Sequence, residues 1–336
     1  MMEQETETTR STTDWDQFLA DQRPDIGHKQ YSWWIDFLKL RGWNSFGFAA
    51  SDDDKICGGA NVLMKSFAPD KCFYYVPHGP VLPKTQADAA DLFEAMMEYI
   101  DDHRKSSSYV VSHLRIEPRW LDQPEFVKGF QRSIHWHEPR NTLCVDLTMS
   151  EDAILKQMKT KGRYNIRVAR RHNVSVVQDN SAAGLADFLR LYEETVTRQD
   201  ISRHSKEYFD ELAATLFPYR RGDLFFAEYQ GTRLATALIL YAGDTATYKY
   251  GGTQLSHRNV MAPYLLHFEA MLRAKTLGYK WYDFYGVSPA NAPNDEWANF
   301  SSFKRKFGGC ELSFIPSLDF VFDPDAYEEY RSQKKS

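Results

Sequence analysis

Hydrophobic and polar positions alternate along two separate halves of the chain and spell out the same order of elements twice. In the first half, "SFGFAAS" and "ICGGANVLMKS" read as strands on either side of the turn "DDDK", and "CFYYVPHGPVL" reads as a third strand. The run "TQADAADLFEAMMEYIDDHRKS" carries helical spacing, and "YVVSHLRIEP" closes the unit as a strand. In the second half, "LFFAEY" and "RLATALILYAG" flank the turn "QGT". The strand "ATYKYGGTQ", the amphipathic helix "APYLLHFEAMLRAKTLG" and the strand "YKWYDFYGV" follow. Glu269 and Arg273 sit four apart on that helix, as a solvated face places them. Two units of hairpin, strand, helix and strand imply the internal duplication of one α+β module.

Composition supports this division. The 336 residues, 43% of them hydrophobic and 15% aromatic, are enough for two packed cores. No apolar run approaches the roughly 20 residues of a membrane span. The polar, acidic start "MMEQETETTRSTTD" is unlike a secretory leader, so a cytoplasmic protein is expected. Cys57, Cys72, Cys144 and Cys310 are scattered without a C-x-x-C pair and read as small buried hydrophobes. The ten histidines are dispersed, and "HWH" at 135–137 lacks an acidic partner set, so no metal site is expected.

Net charge is −5, yet "KQMKTKGRYNIRVARR" from Lys156 to Arg171 contains seven cations and no acidic residue. It follows "SED" at 150–152, where Ser150 can cap a helix with an acidic first turn. The run is therefore expected on helix, with Gly162 breaking that helix in two. Without acidic partners for i,i+4 pairing, Lys159, Lys161, Arg163, Arg167, Arg170 and Arg171 read either as a solvated face or as an anion-binding surface.

The module order resembles the GNAT acyltransferase fold. Members that bind acetyl-CoA cradle its pyrophosphate with a glycine-rich loop between the third strand and the helix. Here that place reads "HRNVMAPY": Arg258 is present, but Val260 and Met261 are bulky and Pro263 removes an N–H, which disfavours CoA. Four stretches carry a more specific resemblance: "MKTKGRYNIRVARRHNVSV", "TRQDISRHSKEYFDEL", "YKYGGTQLSHRNVMAPYLLHFEAMLRAKTLGYKWYDFYGVSP" and "FSSFKRKFGGCELSFIPSLDFVFDP". In this order they resemble the FemABX family of peptidoglycan bridge-forming aminoacyltransferases, and the likeness covers nearly the whole chain from about Trp15.

That resemblance implies a tandem duplication of a GNAT-like fold. The implied activity is tRNA-dependent transfer of an amino acid of the Ala, Ser or Gly class, without a cofactor, to an amine on the peptide stem of a muramyl pentapeptide precursor. The absence of a heptad hairpin between Gly184 and Arg221 makes the chain similar to the compact FemX-like type, which has no coiled-coil arm and acts on the UDP-linked precursor. A lipid-linked acceptor stays open. The first domain is expected over 14–148, completed by 312–336, and the second over 149–311, in a monomer.

The resemblance also implies site residues. Phe303 and Lys304 match a Phe-Lys pair at the meeting point of tRNA terminus and acceptor amine, where an ammonium would stabilise the oxyanion of the transition state. Lys39, near Trp34, is the first-domain candidate for the acceptor's diphosphate. Tyr208 matches the family, but His204 stands where an arginine is expected, with Arg203 beside it. Tyr250 and Tyr264 match positions bordering the peptide channel. Glu117 and Asp283 end corresponding strands and could position the acceptor amine or accept its proton. A CoA-dependent N-acyltransferase and a non-catalytic RNA-binding protein on the same scaffold remain as alternatives.

Overall fold

In the computed structural model, which describes residues 12–199, 203–289 and 298–335, the two repeats become two sheets. The amino-terminal stretch behind the expectation of no leader lies almost wholly outside the described residues. Helices α1 (Thr12–Gln22) and α2 (Ser32–Leu40) precede strands β1 (Asn44–Asp52), β2 (Lys55–Ala68) and β3 (Lys71–Pro77), helix α3 (Gln86–Ser106), and strands β4 (Val110–Glu117) and β5 (Gln131–Arg132). The chain continues through β6 (Asn141–Asp146), α4 (Glu151–Gln157), α5 (Thr160–Arg171), β7 (Ser175–Gln178), α6 (Ala182–Gln199) and α7 (Lys206–Leu216). The second repeat is β8 (Gly222–Tyr229), β9 (Thr232–Ala242), β10 (Thr245–Thr253), α8 (Ala262–Thr276) and β11 (Trp281–Gly286). Helix α9 (Ala298–Lys304), strands β12 (Cys310–Ser313) and β13 (Leu318–Val321), and helix α10 (Pro324–Lys335) complete the chain.

Two compact units result, one of residues 1–140 with 313–336 and one of 141–312. In the first, the described strands run in the order β1-β2-β3-β4-β13-β5, with β3 and β4 parallel around the crossover helix α3. In the second the order is β12-β6-β11-β10-β9-β8-β7, with β10 and β11 parallel around α8. Each module is therefore an antiparallel hairpin and strand followed by a helical crossover, the connection a parallel pair requires. An antiparallel strand from elsewhere in the chain then completes each sheet: β13 beside β4, and β6 beside β11. This places the boundary at Arg140/Asn141 rather than near Thr148, because β6 pairs with β11 in the second sheet.

The first core packs Val62, Tyr74 and Val76 of the sheet against Leu92, Phe93, Met96 and Ile100 of α3. The tail is tied in by a buried ion pair, with the Arg115 guanidinium donating to both carboxylate oxygens of Asp319 at 2.8 and 2.9 Å. Tyr327 also donates to Asp319, at 2.7 Å. In the second core α8 is buried along most of its length through Leu265, Leu266, Phe268, Ala270, Met271 and Ala274. Cys72 and Cys144 are buried as expected and Cys57 is half-buried, but Cys310 on the edge strand β12 is exposed.

Ser150 caps α4 by accepting from the Ala153 N–H. The helical run breaks at Met158 and Lys159, where the backbone is extended, and not at Gly162. Gly162 lies within the first turn of α5 for a packing reason: a Cβ there would stand 2.3 Å from the Lys306 carbonyl oxygen. The same contact is closed by the Lys159 N–H donating to Lys306 O at 3.1 Å.

Candidate functional site

The site in the second unit forms where parallel strands separate. Strands β10 and β11 pair only over Thr245–Thr247 and Trp281–Asp283. Beyond that point β10 carries a bulge between Tyr248 and Tyr250, and β11 shifts register between Asp283 and Gly286. Tyr285 takes a left-handed φ of 61°, a strained geometry for a bulky residue. Asp283, buried to 1%, holds this bend by accepting from the Tyr285 N–H at 2.7 Å and from the Thr142 hydroxyl. Its carboxylate therefore positions β11 from the interior. It is not an exposed strand-end base.

Helix α9 delivers Phe303 and Lys304 to the same place. Its register is fixed by Ser301, whose buried hydroxyl oxygen accepts from the Ser288 N–H at 2.8 Å. Lys304 is partly buried, and its ammonium donates to the Gly286 carbonyl at 2.6 Å while lying 5.8 Å from the Tyr248 ring centroid. Burial pushes its pKa down to about 8 against the opposing charge of Asp283. Phe303 packs edge-on to Tyr264 at 5.0 Å and against His267 and Phe307. His267 shares a hydrogen bond of 2.9 Å with Tyr282, and burial, aided by the Lys304 charge, lowers its pKa to about 3. It is a neutral imidazole that adds no competing charge beside Lys304. Burial raises the pKa of Tyr264, partly offset by a hydrogen bond from Asn165.

A cavity of about 430 Å³ opens beside this cluster, walled by Tyr248, Tyr264, His267 and Phe303, with Arg198 and Arg258 among its polar lining. The bulky loop of the sequence forms its far side. His257 and Met261 both adopt left-handed backbone there, and Met261 immediately precedes α8, which has Pro263 in its first turn. No glycine cradle exists at this helix start. Among the described residues, no group of three His, Cys, Asp or Glu side chains is placed to hold a metal ion.

A second aromatic cluster of the same unit unites three of the expected residues. His204 stacks on Tyr208 at 3.9 Å, Tyr208 and Tyr250 share a hydrogen bond of 2.8 Å, and Tyr250 meets His204 Nε2 at 3.2 Å. Arg203 is turned away from them, exposed and paired with Glu193 at 3.1 Å.

In the first unit the expected residues separate. Lys39 is exposed and pairs with Asp36 at 2.9 Å on its own helix, whereas Trp34 is buried to 2%. The cation against Trp34 is Lys29, 4.3 Å from the ring and paired with Glu138 at 2.5 Å. Sequence spacing alone offered no way to prefer Lys29, which lies in a short 3-10 turn. Glu117 is buried and accepts from Tyr75, Ser317 and the N–H groups of His137 and Glu138 at 2.6–3.0 Å. Four donors fill its lone pairs, so it is a structural acceptor and not a free base, although burial raises its pKa.

The six basic residues of the α5 region divide. Arg163 donates to the carbonyls of Lys156 and Met158, satisfying orphan groups at the end of α4. Arg170 pairs with Glu269 of α8 at 3.2 Å and lies 5.3 Å from the Phe268 ring, so an acidic partner does exist, on another helix. Glu269 pairs with this arginine and not with Arg273. Lys159, Lys161, Arg167 and Arg171 are exposed, and no described acidic side chain lies within ion-pair distance of them. In the "FKRKF" segment Arg305 is fixed by Glu311 and by the Ser288 carbonyl, while the Lys306 ammonium donates to the Ser302 carbonyl at 3.2 Å.

Comparison with known proteins gives concordant findings. The FemAB family model matches residues 124–228 and 223–335. The chain is 26% identical over 300 residues to the UDP-N-acetylmuramoylpentapeptide-lysine N(6)-alanyltransferase of Weissella viridescens, covering 84% of this chain and 85% of that protein. It is 21% identical over 375 residues to the lipid II:glycine glycyltransferase of Staphylococcus epidermidis, with 89% and 88% covered. The crystal structure of FemX superposes with a TM-score of 0.86 at 17% identity, covering 96% of this chain and 98% of that one. The shared fold is the duplicated GNAT-like module described above.

Proposed function

The chain belongs to the FemAB family and is a transferase, and from that premise we propose that it moves an amino acid from aminoacyl-tRNA to an amine on the peptide stem of the UDP-linked muramyl pentapeptide. The observation that carries this reading is the Lys304 ammonium, held 2.6 Å from the Gly286 carbonyl beside Phe303 on the wall of the cavity. In the transfer, the acceptor amine attacks the ester carbonyl, a C–N bond forms, the C–O bond to the ribose breaks, and the amine proton passes to the departing ribose oxygen. Negative charge develops first on the carbonyl oxygen and then on that leaving oxygen. A fixed cation in a partly dehydrated site stabilises both, by roughly 2–4 kcal/mol if it matches one oxyanion-hole donor.

The cavity's aromatic wall suits a terminal adenosine, with Phe303 available for stacking. The acceptor is taken to be UDP-linked because the described chain between Gly184 and Arg221 holds only α6, α7 and short turns, without a long arm. A small amino acid of the Ala, Ser or Gly class fits the crowding of Tyr248, Phe303 and His267 around the ammonium.

The test is a transfer assay with charged tRNAs and UDP-linked muramyl pentapeptide, run on the parent and on Lys304→Met. Methionine keeps much of the aliphatic stem. The expected outcome is transfer by the parent and a loss of about two orders of magnitude in kcat for the variant, with substrate affinities nearly unchanged. Full activity in Lys304→Met would overturn the role of the ammonium. Transfer from acyl-CoA but from no charged tRNA would overturn the donor, and transfer only to the lipid-linked precursor would overturn the acceptor.

A further inference from the structure

The exposed side of α5 holds an aromatic ring that neither the core nor the transfer site uses. Tyr164 is 46% exposed, with the Lys161 ammonium 5.5 Å from its ring centroid and the Arg171 guanidinium 6.0 Å from it. Positions 164 and 171 lie seven apart, on one stripe of the helix. Arg163 and Arg170 face elsewhere, engaged by the α4 carbonyls and by Glu269. The ring is therefore bracketed by cations that have no described acidic side chain within ion-pair distance.

The fold brings a further cation to the amino-terminal end of α5. Lys306 is brought to Lys159 and Lys161 by the Lys159 N–H to Lys306 O bond of 3.1 Å and by the close seat of Gly162 on that carbonyl. Burial, with the charges of Lys159 and Lys161 adding to it, lowers the Lys306 pKa. The charges of Lys159 and Lys161 oppose that of Lys306, a repulsion that a bound polyanion would relieve. Lys306 is two residues from Lys304 in the chain, with its ammonium on the Ser302 carbonyl where that of Lys304 is on Gly286.

We propose that Tyr164, set between Lys161 and Arg171, is a stacking platform for unpaired RNA that holds the single-stranded end of the donor, with Lys159 and Lys306 taking its phosphates at the amino-terminal end of the same helix. The proposal rests on the reading of the donor as a charged tRNA. An exposed ring between cations suits a base whose phosphates the cations take up. A duplex, with its bases already stacked inside, can use only the cations. An acidic protein surface or an anionic membrane would satisfy the charges but leave the ring without a partner that requires its π-face.

The experiment measures binding of the full chain to an eight-nucleotide single-stranded RNA and to a blunt RNA duplex across a salt series. The proteins are the parent, Tyr164→Ala, Tyr164→Phe and Lys306→Met. Tyr164→Ala is expected to bind the single strand roughly ten-fold more weakly with an unchanged salt slope, while Tyr164→Phe stays within about two-fold, as stacking requires. Lys306→Met should lower the slope of log affinity against log salt by about 0.7. Duplex binding should ignore Tyr164. Equal single-strand affinity in Tyr164→Ala and parent, or an equal loss on the duplex, overturns the platform. Transfer from charged tRNA is assayed in parallel: transfer by the parent with no effect of Tyr164 sinks the platform alone. Tyr164-dependent single-strand binding without any transfer sinks the donor assignment and leaves the platform standing.

Discussion

At the scale of single residues, the pKa of Lys304 makes the proposed mechanism testable by pH. Burial lowers it to about 8, below the ordinary lysine value, so the side chain is a cation at neutral pH and loses its proton as pH rises through 8. On the proposed mechanism the transition state is stabilised below that value and not above it. The expected kcat profile therefore falls on the alkaline side with an apparent pKa near 8. Lys304→Arg, which stays charged to far higher pH, should show a lower maximum rate and no fall before about pH 10. A parent profile flat to pH 9.5 would separate turnover from the Lys304 charge. Part of this site is legible in the sequence: three cations between two phenylalanines draw attention to "FKRKF". Their different fates are not, because Arg305 is neutralised by Glu311, Lys306 faces other lysines, and Lys304 turns inward to Gly286.

At the scale of elements, the carboxyl-terminal strand β13 tests how the first unit is held together. It inserts between β4 and β5 and brings Asp319 to the fully buried Arg115. Removing one partner of such a pair leaves an uncompensated charge in the core, at a cost of about 3–5 kcal/mol. Asp319→Ala should accordingly shift the urea unfolding transition of the unit formed by 1–140 and 313–336, with little change in that of 141–312. Burial opposes ionisation of Asp319, but the Arg115 hydrogen bonds and charge outweigh it and hold the carboxyl below its usual range. With the folded pKa depressed, the stabilisation is present above the ordinary carboxylate value and is lost as pH falls through the lowered one. The first unit should weaken in acid, and Asp319→Asn should flatten that dependence. An unfolding curve unmoved by either substitution would mean that β13 is held by the rest of its contacts alone.

At the scale of the whole molecule, the distribution of charge matters more than its sum. A chain with 46 acidic and 41 basic residues repels a polyanion at long range, yet the exposed side of the α5 region concentrates Lys159, Lys161, Arg167 and Arg171 with no described acidic side chain in ion-pair distance. Phosphate contacts release counterions, so each one lost lowers the slope of log affinity against log salt by about 0.7–0.9. Converting Lys159, Arg167 and Arg171 together to Ala should reduce that slope for tRNA by about 2–3, with turnover at saturating tRNA retained. A fourth substitution, Arg170→Ala, should add little, since Arg170 already pairs with Glu269. An unchanged slope in the triple variant would return this face to ordinary solvation.

The sequence by itself determined the elements and their duplication, because periodicity and turn residues act locally: the hairpins, the crossover helices and the Ser150 cap all stand where the pattern put them. It also carried the family, through ordered stretches that need no coordinates. What only the tertiary structure decided are the contacts between segments far apart in the chain. Strand β6 joins the second sheet because it pairs with β11, about 140 residues later, and Gly162 is required by a carbonyl at position 306 and not by a helix break. Lys29, not Lys39, is the cation against Trp34, and Glu117 is filled by donors from three separate segments. Local propensity cannot encode such choices, since the free energy that fixes them comes from burial and hydrogen bonding that exist only once the distant partners have met.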